Sequence, residues 1–238
     1  MQILEIKEIR SVAAQGVTRP VFCVGADDRT YVVKGAFAGK QSLVNEWVAS
    51  RLGQFVGLPI PYCAQLQVLP DMFAYSAQKE ELLLLGRETL FGSLWQKEMV
   101  ELRVGDLSHV DIELRAKILA FDHWIGNGDR TLSAHGGNPN LLWSPSESRL
   151  AVIDHNLAFD FNDPDGNFSN HVFIQAKAAW SSSFKQEMEG LFAHAIGEFD
   201  GIFRELPTDW LDAGGEEIYE QIKASQSRFQ IDPDIFLS

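Results

Sequence analysis

Two aspartates on predicted loops, with asparagines between them in the chain, are the side chains best suited to chemistry. Asp129 follows a Gly-Asn-Gly turn in the stretch WIGNGDRTLSAHGGNPNLLW, and Asp154 ends the apolar run LAVID. A loop aspartate can accept a proton from an attacking hydroxyl group or orient that group. A second carboxylate and an asparagine amide oxygen are ligands that Mg²⁺ prefers. This order of parts, with a short hairpin before the second aspartate, is typical of the catalytic and metal-binding loops of kinases.

Arg130 and the asparagines that follow it admit more than one interpretation. Arg130 either holds the loop or neutralises the charge of a phosphate group. Asn138 and Asn140 are both placed to supply the metal-binding amide oxygen. Taken singly, each of these residues is also common in turns, since Asn-Gly and Asn-Pro pairs form turns in many proteins. Together they follow the order found in kinase loops, and each lies in the expected secondary structure, which favours the catalytic interpretation.

A lysine and a glutamate in the first part of the chain form a second candidate set. Lys34 ends the predicted strand YVVK, and Glu46 lies in the following predicted helix. A strand lysine can contact nucleotide phosphates, and a helix packed on the sheet can supply its counter-ion. The stretch AAQGVTRP contains one glycine, Gly16, and matches a glycine-rich phosphate loop poorly; it is either a plain turn or a source of backbone N–H groups for an anion.

Composition excludes several classes of partner. The 238 residues carry a formal net charge of -13, which argues against binding to nucleic acid or to anionic membranes, because both require excess Lys and Arg. The N-terminal residues do not resemble a signal peptide, and no stretch approaches the roughly 20 apolar residues of a membrane span. Cys23 and Cys63 lack metal-ligand spacing and are expected to be buried free thiols. We therefore expect a cytoplasmic protein.

The first part of the chain predicts strands and one helix. ILEIKEI alternates apolar and polar residues, and PVFCVGADDRTYVVKG predicts a hairpin with strands at residues 21–24 and 30–34. SLVNEWVASRLGQFVG has the apolar spacing of a helix, which Gly57 and Pro59 end. AQLQVLP and ELLLLG are then interpreted as two further strands.

The second part predicts mainly helices. Ser108 with Asp111 is a capping signature at the start of a helix in SHVDIELRAKILAFDHWIG. NLLW and RLAVID predict two short strands, and a long amphipathic helix follows from Phe184. A last helical region begins at Pro207. The boundary between the two parts is expected near residues 85–93.

The motifs NGDR, NPNLLW and LAVIDHNLAF, together with YVVKG and its following helix, resemble those of the HipA-like kinases, specifically their small single-domain branch. The resemblance implies an α+β, two-lobed, protein-kinase-like fold. Residues 1–88 would form a small lobe with an antiparallel sheet and one helix, and residues 89–238 a larger, mainly helical lobe. ATP and Mg²⁺ would bind in the cleft between the lobes. HipA itself is a serine/threonine kinase of a toxin–antitoxin system, so the resemblance implies a protein Ser/Thr acceptor and an antitoxin-like partner.

The resemblance also implies a role for each site residue. Lys34 would hold the α- and β-phosphates and pair with Glu46, Asp129 would be the catalytic aspartate, and Asp154 would bind metal. The family asparagine usually lies five positions after the catalytic aspartate, where this chain has Ala134. The intervening stretch LSAHGG contains an insertion of about four residues, which makes Asn138 the best match to the family pattern and Asn140 the second.

Two other functions remain open at this point. The glycine-poor loop and the insertion favour a nucleotide-binding pseudokinase that acts as an interaction module. The group of His123, His135, His155 and Asp122, with the two loop aspartates, favours a metal-dependent hydrolase, although its spacing is no standard ligand motif.

Overall fold

The computed structural model of the protein describes residues 2–14, 16–160, 168–211 and 215–231. The strands in these ranges are β1 (Leu4–Val12), β2 (Val21–Gly25), β3 (Thr30–Lys34), β4 (Cys63–Gln67), β5 (Leu90–Leu94), β6 (Val100–Glu101), β7 (Thr131–Ser133), β8 (Gly136–Asn138), β9 (Leu141–Ser144) and β10 (Arg149–Val152). The α-helices are α1 (Lys40–Val56), α2 (Pro70–Tyr75), α3 (Lys79–Leu85), α4 (Ile112–Ile125), α5 (Ser182–Gly197), α6 (Phe199–Arg204), α7 (Thr208–Leu211) and α8 (Gly215–Ile231).

The first five strands form a closed barrel in the order β1-β2-β3-β5-β4. The predicted β2–β3 hairpin is confirmed, with Val21 opposite Val33 and Val24 opposite Thr30. The expectation of a purely antiparallel sheet is wrong at one place, because β1 runs parallel to β4 where the barrel closes. The interior of the closed barrel is filled by apolar side chains such as Ile6 and Leu66, both of which are fully buried.

The stretch ELLLLG does not form the predicted strand. It forms most of α3, in which Leu82, Leu84 and Leu85 are buried and Leu83 is exposed. A short apolar run fits a buried strand and a helix equally well, so periodicity alone could not decide. Two acidic residues in the first turn of α3 favour the helix, because they interact well with the positive end of its dipole.

The barrel half of the chain also contains more than the one predicted helix. The predicted helix is α1, which ends at Gly57 in a left-handed conformation with φ of 84°. AQLQVLP contributes β4, but its proline is the first residue of α2, a position that suits proline because the N–H there is not needed. With α3, three helices therefore precede β5.

The last barrel strand along the chain is β5, which lies between β3 and β4 and pairs with both. This strand overlaps residues 85–93, where the sequence analysis places the boundary between the two parts. The chain therefore leaves the barrel only after residue 94. A division of the chain at residue 88 remains a prediction.

The second half is mainly helical around a small sheet. Helix α4 begins later than predicted, because Asp111 is its N-cap and accepts hydrogen bonds from the N–H groups of Glu113 and Leu114, whereas Ser108 lies in a preceding 3₁₀ turn. The predicted strands NLLW and RLAVID are confirmed as β9 and β10, which pair antiparallel. The predicted long helix divides at Glu198 into α5 and α6.

Two apolar clusters support these halves. One fills the barrel, and the other, which is larger, joins α1 to α4, α5 and β9. Helix α1 therefore packs between the barrel and the helical half. None of the described helices is long and apolar enough to cross a membrane.

Candidate active site

A cavity of about 870 Å³ lies between the barrel and the β9–β10 hairpin. Its lining draws on both halves of the chain, from the β1–β2 connection to the loop after β10. The predicted site residues that line it are Gly16, Lys34, Glu46, Asp129, Asn138, Asn140 and Asp154. The structure therefore brings together residues that are far apart in the sequence, and Arg130 is the one predicted residue outside the lining.

Lys34 joins two carboxylates at the inner end of the cavity. Its Nζ atom donates to Glu46 and, at 2.7 Å, to Oδ1 of Asp154. The second oxygen of Glu46 accepts the N–H of His155 at 3.0 Å. Lys34 lies at the end of β3 and Glu46 faces it from α1, so the packing of α1 on the barrel creates the pair.

The charged side chains of this group shift the pKa values of one another. Burial alone would lower the pKa of Lys34, but Glu46 and Asp154 outweigh burial and hold that pKa above its ordinary value. Burial would also raise the pKa of Asp154, yet Lys34 keeps it below its ordinary value. The lysine and Asp154 are therefore both charged at neutral pH. Asp154 also has a φ of 57°, an uncommon backbone conformation for a residue other than glycine.

Asp129 lies across the cavity with the two asparagines beside it. Its Oδ2 atom accepts hydrogen bonds from the side-chain amides of Asn140 at 3.0 Å and Asn138 at 3.3 Å. Its Oδ1 atom is buried and has no hydrogen-bond partner among the described residues. A buried carboxylate oxygen without a partner is costly, so it marks a position that a ligand can fill.

The environment of Asp129 disfavours its charge. Burial raises its pKa to about 6, and the nearby charges of Asp154 and Asp122 act in the same direction. Arg130 and the hydrogen bond from Asn140 oppose the shift without cancelling it. A carboxyl group with a pKa close to neutral is suited to accept a proton.

Arg130 is completely buried and holds the loops together. Its guanidinium donates to Asp122 at 2.7 Å through Nε and to the carbonyl oxygen of Asn140 at 2.6 Å through Nη1. Nη1 also lies 3.2 Å from the carbonyl oxygen of Ile153, next to Asp154. Of the two interpretations of Arg130 from the sequence, these contacts favour the structural one.

Asp122 and His171 complete this buried network, and the sequence did not indicate His171 at all. Burial alone would raise the pKa of Asp122, but Arg130 and His171 hold it well below its ordinary value. His171 lies 3.0 Å from Asp122, and neither side chain has exposed surface. A lone histidine in a mainly apolar stretch gives no signal of such a contact, because its partner lies on a helix that is far away in the sequence.

The β1–β2 connection forms one edge of the cavity. Gly16 has a φ of 106°, which other residues rarely adopt, and it begins a turn closed by the hydrogen bond from the Arg19 N–H to its carbonyl oxygen. Arg19 also forms an ion pair with Glu80 on α3. Residues 16–19 are therefore held by a backbone hydrogen bond and by a side-chain ion pair.

Apolar residues form the remaining wall of the cavity. Val32 and Phe91 contribute from the barrel, and Leu142 and Val152 contribute from the β9–β10 hairpin. The segment after β5 closes one side, where Trp95 packs edge-to-face on Phe22 with ring centroids 6.0 Å apart. Sequence reasoning missed this wall because single apolar residues on separate strands carry no motif.

The histidines do not form a common site. His155 packs edge-to-face on Phe121, and burial lowers its pKa to about 3. His123 lies against Phe168, and His135 is exposed in the turn between β7 and β8. Within the described part of the chain, no three His, Cys, Asp or Glu side chains are grouped as metal ligands are. The geometry thus gives no support to the hydrolase alternative.

Comparison with known proteins agrees with this arrangement. The model of the HipA-like kinase family matches residues 6–231 of the chain. The crystal structure of a proinflammatory kinase from Helicobacter pylori, CtkA, is similar, with a TM-score of 0.59 over 96% of this chain and 94% of that chain. The sequence identity is 12%, so this likeness shows the fold alone. No curated protein matches the chain in sequence.

Proposed function

Because the chain belongs to the HipA-like kinase family, we propose that it is an ATP- and Mg²⁺-dependent kinase that transfers the γ-phosphoryl group to a hydroxyl group. The observation that carries this proposal is the convergence of Lys34, Asp129 and Asp154 on one cavity. We further propose that the barrel and the helical half act as the two lobes of a kinase-like fold, with the nucleotide between them. Catalysis in such a site comes mainly from positioning and from neutralisation of charge.

In this proposal, different parts of the cavity bind different parts of ATP. The apolar wall around Val32, Phe91 and Leu142 suits the flat face of an adenine base. Lys34 contacts the phosphates, and Glu46 keeps the lysine in place. The backbone of the turn at Gly16 covers the phosphates from the barrel side.

The donor set fits Mg²⁺, a hard ion that binds oxygen. Asp154 offers a carboxylate, and Asn138 and Asn140 offer amide oxygens. Asn140 is buried, lies closer to Asp129 and has a φ of 50°, so the geometry favours it over Asn138, the better match to the family pattern. When bound, Mg²⁺ supplies positive charge that balances the phosphates.

Asp129 orients the attacking hydroxyl group and accepts its proton. Its unpartnered Oδ1 atom is the acceptor, while Oδ2 is held by the two asparagines. Family membership favours a Ser or Thr side chain of a protein as the source of that hydroxyl group. It also favours a cytoplasmic protein with an antitoxin-like partner.

The test compares Lys34→Met with Lys7→Met, which removes an exposed lysine on β1 that does not line the cavity. We expect Lys34→Met to transfer labelled γ-phosphate to a panel of proteins at least ~100-fold more slowly than wild type, because it loses charge beside the phosphates. Lys7→Met should match wild type. Equal rates in all three proteins would refute the role of Lys34. Binding of ATP by the wild type without any transfer would instead support a pseudokinase.

A further inference from the structure

We propose that His171 is a positioning residue, which holds Asp129 in its catalytic orientation through Asp122 and Arg130. The inference rests on the proposed kinase function, because it assigns His171 a part in the same reaction. His171 does not line the cavity and acts only through other residues. His171, Asp122 and Arg130 are all buried, and the last contact, from Asn140 to Asp129, is partly buried.

The hydrogen bonds of the imidazole fix its tautomer. The Nδ1 atom accepts the N–H of Phe173 at 3.0 Å, so it carries no proton. The proton therefore lies on Nε2, which donates to Oδ2 of Asp122 at 3.0 Å. One ring nitrogen is thus used to hold the backbone at Phe173, and the other is used to hold Asp122.

The Asp122 carboxylate passes this constraint to Arg130. Its Oδ2 atom accepts from both His171 and Nε of Arg130, and its Oδ1 atom lies 3.3 Å from Nη2 of Arg130. This two-point contact fixes the plane of the guanidinium as well as its position. Since both ions are fully buried, a partner that moves away leaves an unpaired charge in the core.

The guanidinium in turn holds the two segments that carry the other candidate ligands. Nη1 donates to the carbonyl oxygen of Asn140, whose amide donates to Asp129, and to that of Ile153, which precedes Asp154. A shift of Arg130 therefore moves Asn140, which holds Asp129. It also displaces Asp129 directly, because Asp129 precedes Arg130 in the chain. Displacement by about 1 Å is enough to slow a positioned reaction substantially.

The backbone around His171 reinforces the same connection. The N–H of Val172 donates to the carbonyl oxygen of Arg130 at 2.9 Å, and His171 forms a β-bridge with Thr131. The segment that carries His171 is thus bound directly to the residues after Asp129. That segment follows Asp154 in the chain, and these two contacts connect it to the loop that carries Asp129.

Two variants separate this role from simple packing. His171→Gln can place a donor near the Nε2 position and so keep the bond to Asp122. His171→Asn can place an acceptor near the Nδ1 position and so keep the bond to Phe173, but it cannot reach Asp122. Both remove the aromatic ring beside Phe168 and Phe173, so both lose these ring contacts; they differ by one methylene group and by which of the two bonds they keep.

We expect His171→Asn to lower kcat by ~10- to ~100-fold with the KM for ATP within about 2-fold of wild type. His171→Gln should restore most of that loss. Hydrogen exchange of the amides at residues 126–142 should be faster in His171→Asn than in His171→Gln. Equal kcat and equal exchange in the two variants would overturn the inference. Absence of transfer by the wild type would refute the proposed function, and the exchange measurement would then decide the role of His171 by itself.

Discussion

At the scale of single residues, Asp129 is held in a state that costs stability. One of its oxygens is buried without a partner among the described residues, and its pKa is raised to about 6. Active-site groups often have such perturbed pKa values, because the arrangement that suits the reaction does not suit the resting fold. The feature therefore supports a functional role, independently of any sequence motif.

This cost predicts that Asp129→Asn stabilises the fold. The unfolded carboxyl group ionises near its ordinary pKa of 3.8, whereas the folded one ionises near 6, so at pH 7.5 the wild type carries a charge that burial disfavours. We expect a gain of about 1–3 kcal/mol in the free energy of unfolding at pH 7.5. The gain should be smaller at pH 5, because the folded Asp129 is then mostly protonated. Urea unfolding at both pH values measures it.

A matched control for that measurement is Glu189→Gln, on the exposed surface of α5 and away from its first turn. Its free energy of unfolding should change by less than about 0.5 kcal/mol at either pH. A loss of stability in Asp129→Asn, or a gain that does not depend on pH, would contradict the assignment of a strained carboxylate.

Single residues also show the limit of sequence reasoning. Lys34, Asp129 and Asp154 could be chosen from the sequence as candidates, because each lies at a fixed place in a motif with a chemical purpose, and all three line one cavity. His171 could not be chosen, because its contact with Asp122 is created only by the fold.

At the scale of elements, the β7–β8 hairpin is the feature that departs from the predicted pattern. The stretch LSAHGG, which contains the insertion, lies in a two-stranded hairpin between Asp129 and Asn140. Gly137 permits the close pairing, since a Cβ atom there would lie 2.4 Å from the carbonyl oxygen of Thr131. The insertion is therefore accommodated outside the core, with Asn140 still beside Asp129.

The hairpin makes a prediction about the metal ligand. Asn138 ends β8 and is exposed, whereas Asn140 lies beyond the hairpin and is buried. We expect Asn140→Ala to reduce phosphate transfer by ~10- to ~100-fold and to raise the Mg²⁺ concentration that is required. Asn138→Ala should have a smaller effect on both. Magnesium titrations of the transfer rate in the two variants decide between them, and a larger loss in Asn138→Ala would show that the hairpin itself supplies the ligand.

The predictions of α1 and of the β2–β3 hairpin are confirmed, whereas the apolar run ELLLLG is a helix and not the predicted strand. Helix α1 and the β2–β3 hairpin have long patterns and clear end signals. Helix α3 was predicted as a strand, because its run of leucines lacks a period that distinguishes the two structures. Whether a strand closes a barrel, as β1 does with β4, depends on residues far away in the chain and has no local signal.

At the scale of the whole molecule, residues at the end of α6 and in α7 connect the two halves. Trp210 donates to the carbonyl oxygen of Thr89 at 2.7 Å, and Asp209 accepts the N–H of Thr89 at 2.7 Å. Gln65 on β4 donates to the carbonyl oxygen of Glu205 at 2.7 Å. Helix α1, which carries Glu46, also packs on α5, α6 and α7. The position of Glu46 beside Lys34 is thus stabilised from both halves of the chain.

In the proposed reaction Asp129 acts on the attacking hydroxyl group and does not contribute to nucleotide binding. The most direct test measures labelled γ-phosphate transfer and calorimetric Mg²⁺-ATP binding on the same preparations of wild type and Asp129→Asn. We predict that both proteins bind Mg²⁺-ATP with similar affinity and that the variant transfers phosphate at least ~100-fold more slowly. Transfer by Asp129→Asn at the wild-type rate would contradict the account.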